Sequence, residues 1–451
     1  MPSEELFAPI FAPLSVRESL GDRAFTQDML DAEAALAVTQ EALGLSPPGS
    51  GEAVGRWCEV AHFDVSELGA AAAVAGNPVI ALVRALRALV PGDVAGYVHR
   101  GATSQDIIDT AMMLSVRRGL GLVVAELDAV TARCAELAEV HARTVMAGRT
   151  LLQHAVPTTF GLKAAGWLAG LDDARRDLHR LSTTRLAVQL GGAAGTLSVF
   201  GDRGVEVLEG LADRLGLLTP PLPWHTSRGR FAEVASALGV ATGAMAKVAL
   251  DVALLMQTEV GEVAEGAVAG RGGSSAMPHK RNPAGSTLVL AADRRVRAAA
   301  GVVAAGMVQE HERAIGAWHS EWQSLREALV LSAGAAHHLH GVVADLEVDA
   351  DRMRANLDRF GGLVMTEQLM WVLEPRLGLA AARQAVEDAS RRVDIEDRPL
   401  VEIVGDSPMI VDALSPLAVS EVLDPGRSLL GVPALIDRAL AAYRRPLGVI
   451  R

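Results

Sequence analysis

The sequence predicts an all-α protein in which long helices pack side by side. The first observation is a run of apolar residues at intervals of three or four, the period of a helix that faces a core. These residues are Leu120, Val124, Leu127, Val130, Cys134, Leu137 and Val140. Similar patterns cover residues 162–190, 232–263 and 284–344. The second observation is that alternating apolar and polar runs and Asn-Gly hairpin signals are scarce, so few β-strands are expected.

Helices of this length are stable in water only when other helices cover their apolar stripes, as in a bundle. Several stripes are too wide for one chain to cover, which predicts oligomerisation. Breaker residues divide the chain into three predicted parts. These are an N-terminal helical domain over residues 1–110, a central long-helix bundle over 111–357 and a C-terminal helical domain over 358–451.

The composition excludes several classes of protein. The chain has 451 residues, 50% of them hydrophobic, and a formal net charge of −12, which argues against a general binder of nucleic acid or anionic membranes. Two cysteines, Cys58 and Cys134, predict a reducing compartment rather than a disulfide framework. The N-terminus lacks the order of a signal peptide, and the most apolar long window, residues 238–256, contains Lys247 and Asp251. We expect a cytoplasmic protein without a membrane span.

The stretch "GGSSAMPHKRNP", residues 272–283, is the least typical part of the chain. Asn282 and Pro283 precede a helical pattern, so the stretch leads to a helix N-terminus, where free N–H groups favour anions. It also contains Lys280, one of only three lysines. A serine in such surroundings becomes a better base, so Ser274 could move a proton next to a substrate carboxylate. Lys280 and Asn282 could stabilise the resulting aci-carboxylate. The alternative is a Gly/Ser hinge with a solvated basic patch.

Two further stretches have the same character. "HRGATSQDIIDTA" sets Thr103 and Ser104 before a helix, where their hydroxyls could hold a carboxylate or simply cap the helix. "GRTLLQHAVPTTFG" offers Thr150, Gln153 and His154. A lone histidine such as His154 is more often structural than catalytic.

In their order and spacing, "GATSQD", "GRTLLQHAVPTTFG" and "GGSSAMPHKRNP" resemble the three signature regions of the fumarase/aspartase superfamily, and "LGGAAGTLS" at residues 190–198 also resembles it. The resemblance implies a three-domain, all-α homotetramer with a shared central bundle and active sites built from three subunits. It implies that Ser274 transfers the proton while Lys280 and Asn282 stabilise the aci-carboxylate. The implied substrate-binding residues are His99, Thr103, Ser104, Thr150, Gln153, His154, Ser275 and Met277.

Position 151 narrows the choice within the superfamily. Fumarases, argininosuccinate lyases and adenylosuccinate lyases carry a histidine directly after the threonine of the second region, whereas this chain has Leu151, which cannot donate a proton. "LFAPIFA", "AGNPVI", "PWHTSRGR", "LLMQTEVGEV" and "QEHERAIGAWHSEW" resemble the bacterial 3-carboxy-cis,cis-muconate cycloisomerase family. In that family Arg313 would join Lys280 in binding carboxylate. Ser227 and Gly229 depart from it, since a glutamine and an aspartate are expected there.

This resemblance implies an intramolecular lyase that lactonises the small tricarboxylate 3-carboxy-cis,cis-muconate to 4-carboxymuconolactone in protocatechuate (β-ketoadipate) catabolism. It implies no metal and no organic cofactor, and no external leaving group that needs an acid. Two alternatives stay open. One is a C–N lyase of the same superfamily, acting on adenylosuccinate or on a small substituted succinate such as nitrosuccinate; Trp224 and Trp322 argue against the nucleotide. The other is a non-enzymatic structural relative.

Overall fold

The computed structural model describes residues 4–266, 277 and 279–446. Within these residues the chain is mostly helical, which confirms the all-α prediction. The α-helices are α1 Glu4–Phe11, α2 Leu14–Leu20, α3 Asp22–Ala42, α4 Ser50–Gly55, α5 Val65–Ala75, α6 Val79–Leu89, α7 Ser104–Val140, α8 Phe160–Thr184, α9 Gly204–Leu215, α10 Gly229–Leu255, α11 Ala284–Ala305, α12 Ala317–Ala344, α13 Ala350–Asp358, α14 Thr366–Leu377, α15 Leu379–Glu396, α16 Leu400–Gly405, α17 Pro408–Ala413, α18 Pro416–Val422 and α19 Val432–Tyr443. The strands are β1 Val145–Thr150, β2 Gln153–Thr159, β3 Val263–Ala264 and β4 Glu347–Val348.

The long helices lie close to where the apolar periodicity places them. The run over 120–140 is on α7, and the pattern over 284–344 is carried by two helices, α11 and α12. The interruption contains Gly306 and Gly316, and Gly316 has a φ of +97°, a left-handed backbone that favours glycine and breaks a helix. Periodicity alone does not reveal this break because both helices keep the same apolar spacing.

The chain divides into two compact units. Unit 1 comprises residues 1–128, 174–246 and 288–338, and unit 2 comprises residues 129–173, 247–287 and 339–451. Since the division falls inside α7, α8, α10, α11 and α12, each of these helices contributes residues to both units. The three-domain division at residues 110 and 357 stays a prediction.

Unit 1 has a helical core. Helix α3 packs against α4 and α9, and its inward face buries Met29, Leu30 and Leu36. Helix α12 approaches α7 closely at Gly119, where an added Cβ would lie 2.8 Å from Cδ2 of Leu329. Such side-by-side contacts between long helices are what a bundle requires.

Unit 2 contains two small antiparallel sheets, β1 with β2 and β3 with β4. Helix α13 packs against β1. Helices α14 to α18 share a separate apolar cluster, which includes Leu369, Leu373, Leu400, Ile403, Val404 and Ile410. Because both sheets are short, the architecture of unit 2 remains mainly helical.

Helix α10 is long and apolar enough to cross a membrane, by length and composition, and among the described residues it alone passes that test. Half of its most apolar window is buried within the chain. The core helix of a globular protein passes the same test, and α10 carries Lys247 and Asp251, which form an ion pair. We interpret α10 as a core helix with one partly uncovered face.

Candidate functional site

The described part of the third signature region, residues 277 and 279–283, lies beside a cavity of about 1090 Å³ in unit 2. Met277, Lys280 and Asn282 line this cavity, together with β3, β4 and the residues that begin α13. Ser274 and Ser275 lie outside the described residues. The structure therefore brings together three of the five residues that the sequence predicts in this region.

The start of α11 is not open to a substrate anion, because the protein itself fills it. The buried carboxylate of Glu265 accepts hydrogen bonds from Gly285 N (3.0 Å), Ser286 N (2.9 Å) and Ser286 Oγ (2.7 Å). The N–H groups of Ala284 and Thr287 donate to the carbonyls of Asn282 and Pro283. The sequence prediction that these N–H groups hold a substrate anion is therefore wrong. Glu265 takes the place that the helix dipole offers to a negative charge.

Arg281 anchors the segment that carries Lys280. Its guanidinium donates to both carboxylate oxygens of Glu347 on β4, at 2.9 Å each, and to the carbonyl of Glu265 at 2.6 Å. Lys280 itself is exposed, and no carboxylate of the described chain lies within ion-pair range of it. Its ammonium charge is thus available to an anion in the cavity.

The second signature region forms the tip of the β1–β2 hairpin. Thr150 pairs with Gln153, which leaves Leu151 and Leu152 as a two-residue turn with φ of +50° and +65°. Such turns prefer Asn-Gly, so two leucines here store strain of the order of 1–3 kcal/mol each, a feature that clusters at functional sites. Both side chains are exposed, Leu151 at 97%. The sequence did not indicate this hairpin because Leu-Leu carries no turn signal.

A buried ion pair fixes the hairpin within unit 2. Arg149 on β1 donates to both carboxylate oxygens of Glu262, at 2.9 and 2.6 Å, and Asn356 Nδ2 donates to the same carboxylate at 2.8 Å. Bidentate contacts of this kind are geometrically specific. Thr150 and Gln153 are therefore presented on a rigid support, with their side chains exposed.

His154 follows Gln153 and lies beside a second cavity of unit 2, of about 470 Å³. Its ring packs edge-on against Phe360 at 5.1 Å. Burial lowers the pKa of His154, and the nearby Arg149 lowers it further. Its Nδ1 is buried and has no hydrogen-bond partner within the described ranges. A neutral imidazole in this setting suits packing or hydrogen bonding better than carboxylate binding.

The first signature region is organised by Asp106, which is 1% exposed. Its carboxylate accepts from Thr103 N (2.9 Å), Gly191 N (3.0 Å) and Gly192 N (2.9 Å), and lies 2.6 Å from His225 Nε2. One buried side chain thereby holds the Thr103 loop and the "LGGAAG" loop together. Asp106 was missed as a site residue, although an acidic residue three positions after a capping Thr or Ser is a known signature of helix starts.

Arg313 is held by neutral oxygens. It donates to Gln105 Oε1 at 2.8 Å and to the carbonyls of Gly192 (3.4 Å) and Ala193 (2.8 Å). Across the described ranges no carboxylate forms an ion pair with it. A guanidinium positioned without charge neutralisation remains able to bind an anion, as the sequence predicts for Arg313.

A fully buried ion network is centred on Arg228. Arg228 donates to Asp109 (2.6 and 3.0 Å) and to Glu321 (2.6 Å for the shortest contact), and Trp318 Nε1 donates to Asp109 at 3.0 Å. Burial disfavours the charge of Arg228, but the two carboxylates outweigh it and raise its pKa. Gly229 stands where the resemblance predicts an aspartate, yet Arg228 still has two carboxylate partners.

Unit 1 has a cavity of about 350 Å³, which is lined by His99 and Ser104 together with Arg84 and Arg87. His99 Nδ1 lies 2.6 Å from Glu33 Oε1.

The predicted site residues are divided between the two units. Those of unit 1 are His99, Thr103, Ser104 and Arg313, whereas those described in unit 2 are Thr150, Gln153, His154, Met277, Lys280 and Asn282. Among the described residues no group of three or more His, Cys, Asp or Glu side chains is placed to hold a metal ion.

Comparison with known proteins agrees with the resemblance. A lyase family model matches residues 52–298. The chain is 43% identical to 3-carboxy-cis,cis-muconate cycloisomerase of Bradyrhizobium diazoefficiens, over 98% of each chain, and 44% identical to nitrosuccinate lyase of Streptomyces davaonensis, over 98% of this chain and 95% of that protein. The crystal structure of the 3-carboxy-cis,cis-muconate lactonizing enzyme from Pseudomonas putida superposes with a TM-score of 0.93 at 40% identity, covering 98% of this chain and 99% of that one. The signature regions, the helical fold and these matches show that the chain belongs to the fumarase/aspartase superfamily of lyases.

Proposed function

We propose that this protein is a 3-carboxy-cis,cis-muconate cycloisomerase. The observation that carries the proposal is the full-length similarity, at about two-fifths identity, to cycloisomerases both in sequence and in structure. The geometry is compatible with the reaction, since Lys280 lines the 1090 Å³ cavity, Arg84 and Arg87 line the 350 Å³ cavity, and no carboxylate of the described chain forms an ion pair with any of the three. The substrate is a small tricarboxylate, and the product is its lactone.

The proposed reaction is an addition within one molecule. A carboxylate oxygen of the substrate forms a C–O bond to the substrate's own double bond, whose π electrons pass to the α-carbon and the carboxylate attached to it. That α-carbon then gains one proton, which is replaced from water, so no other co-reactant is needed. We assign stabilisation of the aci-carboxylate to Lys280 and Asn282, and proton transfer to Ser274. Arg313, Thr103, Ser104, Thr150 and Gln153 are assigned to the carboxylates. Holding the reacting groups together can contribute about 7 kcal/mol or more to such a step.

Leu151 supports an addition or elimination that needs no general acid at the hairpin tip. A leucine cannot protonate a leaving group, so substrates with a poor nitrogen or oxygen leaving group are disfavoured. Lactonisation releases no group. The requirement for an acid at this position is therefore absent.

The active form is proposed to be a homotetramer with active sites built from several subunits. Three observations support it. The most apolar window of α10 is only half buried within the chain. Val240, Leu250 and Val302 on α10 and α11 are exposed, as are Leu151 and Leu152 at the hairpin tip. Apolar surfaces of this kind mark interfaces.

We also propose a cytoplasmic location. Cys58 and Cys134 are both free and buried, and burial raises the pKa of each thiol to about 12. Inert thiols without a disulfide suit a reducing compartment.

A second candidate is a lyase of nitrosuccinate, favoured by the 44% identity to the Streptomyces davaonensis enzyme. Nitrite is a stable anion and leaves without a proton, so Leu151 does not argue against it. Incubation of the purified protein with each substrate separates the two. The cycloisomerase proposal expects loss of the muconate ultraviolet absorbance and formation of one lactone. Release of nitrite and fumarate from nitrosuccinate, with stable muconate absorbance, would overturn it.

A further inference from the structure

Glu33 forms a buried pair with His99, a predicted substrate-binding residue, and the proposed mechanism gives Glu33 no role. Glu33 on α3 is 1% exposed, its Oε1 lies 2.6 Å from His99 Nδ1, and the His99 side chain is 16% exposed. The second oxygen, Oε2, is buried and has no hydrogen-bond partner in the part of the chain that the structure describes. An ionised carboxylate that is buried with so few partners is stabilised by an adjacent positive charge.

The backbone holds the imidazole in place. His99 has a φ of +59°, in the left-handed region that residues other than glycine occupy rarely. The surrounding structure over-determines this conformation, and such strain concentrates where a side chain must be aimed. With Nδ1 engaged by Glu33, Nε2 is the remaining ring donor of His99.

The charges around His99 come from three helices. Glu33 lies on α3, Asp106 on α7 and Arg87 on α6, and Arg84, also on α6, lines the same cavity. Burial on its own would lower the pKa of His99, but Glu33, with help from Asp106, outweighs burial and the opposing Arg87 and raises it. His99 therefore keeps more positive charge at neutral pH than a free histidine does.

We propose that Glu33 is a positioning residue that holds His99 as an imidazolium, so that His99, Arg87 and Ser104 together bind one carboxylate of the substrate in the 350 Å³ cavity. Arg87 donates to the carbonyl of Val98 at 2.9 Å, which fixes its guanidinium beside the pair. The inference rests on the proposed function for the identity of the ligand, a tricarboxylate. The pair itself, and its affinity for carboxylate, are independent of the reaction catalysed.

The test combines Glu33→Gln, which removes the charge and keeps the shape, with a spectroscopic readout. Histidine labelled with ¹³C at Cε1 is titrated by NMR, and the His99 signal is assigned by its loss in His99→Gln. We expect the pKa of His99 to fall in Glu33→Gln, and to rise in the wild type when the stable tricarboxylate tricarballylate is added. The KM for the muconate should rise on the order of tenfold at pH 8, with kcat little changed, because a charged hydrogen bond to substrate is lost.

The pH dependence of the KM shows whether the charge of His99 is what the substrate needs. As the pH is lowered, more of the freed imidazole of Glu33→Gln becomes protonated, so the difference in KM from the wild type should narrow, whereas the difference opens as the pH rises. Glu33→Asp keeps the charge on a shorter side chain, and it should restore part of the affinity at pH 8. This rescue also serves if Glu33→Gln fails to fold.

A matched control is Glu126→Gln, since Glu126 pairs with the exposed His337 at 3.0 Å. It should leave both KM and the His99 titration unchanged. An unaltered His99 pKa in Glu33→Gln, or an unaltered KM at pH 8, overturns the inference. If the muconate is not a substrate at all, the titration and the tricarballylate shift still decide the inference, so the two proposals can fail separately.

Discussion

At the scale of single residues, Lys280 offers the sharpest prediction. Its ammonium lies at the large cavity with no carboxylate of the described chain to neutralise it. Lys280→Met should lower kcat/KM by about a hundredfold or more, the usual cost of removing one donor to a developing oxyanion. Lys247→Met is the matched control, because this exposed lysine pairs with Asp251 one helical turn away. Steady-state kinetics on both variants measure the two losses in kcat/KM. Equal losses would refute the role of Lys280.

Loss of Arg228 should cost much stability, because this arginine pairs with two buried carboxylates. Both of its carboxylate partners, Asp109 and Glu321, are 1% exposed, so Arg228→Met would leave two buried charges unpaired. We expect a loss of about 3–5 kcal/mol in the free energy of unfolding, measured by urea denaturation. Removal of the exposed pair partner in Arg354→Met should cost less than about 1 kcal/mol. Similar losses in the two variants would show that the buried network is not a stability determinant.

At the scale of elements, α12 has one position that allows the N-terminal segment to dock. A Cβ added at Gly334 would lie 2.0 Å from the carbonyl oxygen of Phe11, at the end of α1. Gly334→Ala should therefore lower stability by about 1–3 kcal/mol, seen as a lower melting temperature. Gly69→Ala on α5 meets open space and should instead stabilise by about 0.5–1 kcal/mol. An unchanged melting temperature for Gly334→Ala would mean that α1 does not dock there.

The elements also show how far a sequence can predict structure. Apolar periodicity placed α7, α10, α11 and α12 because their stripes are long and local. It could not place the β1–β2 hairpin, since its turn is made by Leu151 and Leu152, whose side chains give no turn signal. Tertiary packing, not local preference, forces this conformation.

The predicted site shows the same limit. The sequence identified Lys280 and Asn282 because basic and capping residues are concentrated in one short stretch. It also predicted that the start of α11 would bind substrate. Glu265 contacts Gly285 at that start from 20 residues earlier in the chain, and Glu33 contacts His99 from 66 residues away. Contacts between such distant positions leave no local pattern to read.

At the scale of the whole molecule, the exposed apolar residues of the long helices predict assembly. Val240 on α10 is 63% exposed in the single chain. We expect light scattering after size-exclusion chromatography to give the mass of four chains, and Val240→Glu to lower that mass by placing a charge in a dry interface. Val74→Glu is the control, because Val74 is 92% exposed but lies on the short helix α5 rather than on one of the long helices proposed to assemble. A monomeric wild type would remove the proposed tetramer.

The scarcity of lysine has a practical consequence for the bench. Lys163 lies 3.9 Å from Asp251, and Lys247 is paired with the same carboxylate, while Lys280 has no such partner in the described chain. Ligand bound in the large cavity should protect Lys280 from an acylating reagent and leave the labelling of Lys163 and Lys247 unchanged. Peptide mapping by mass spectrometry, with and without ligand, would then report occupancy of that cavity without any turnover assay.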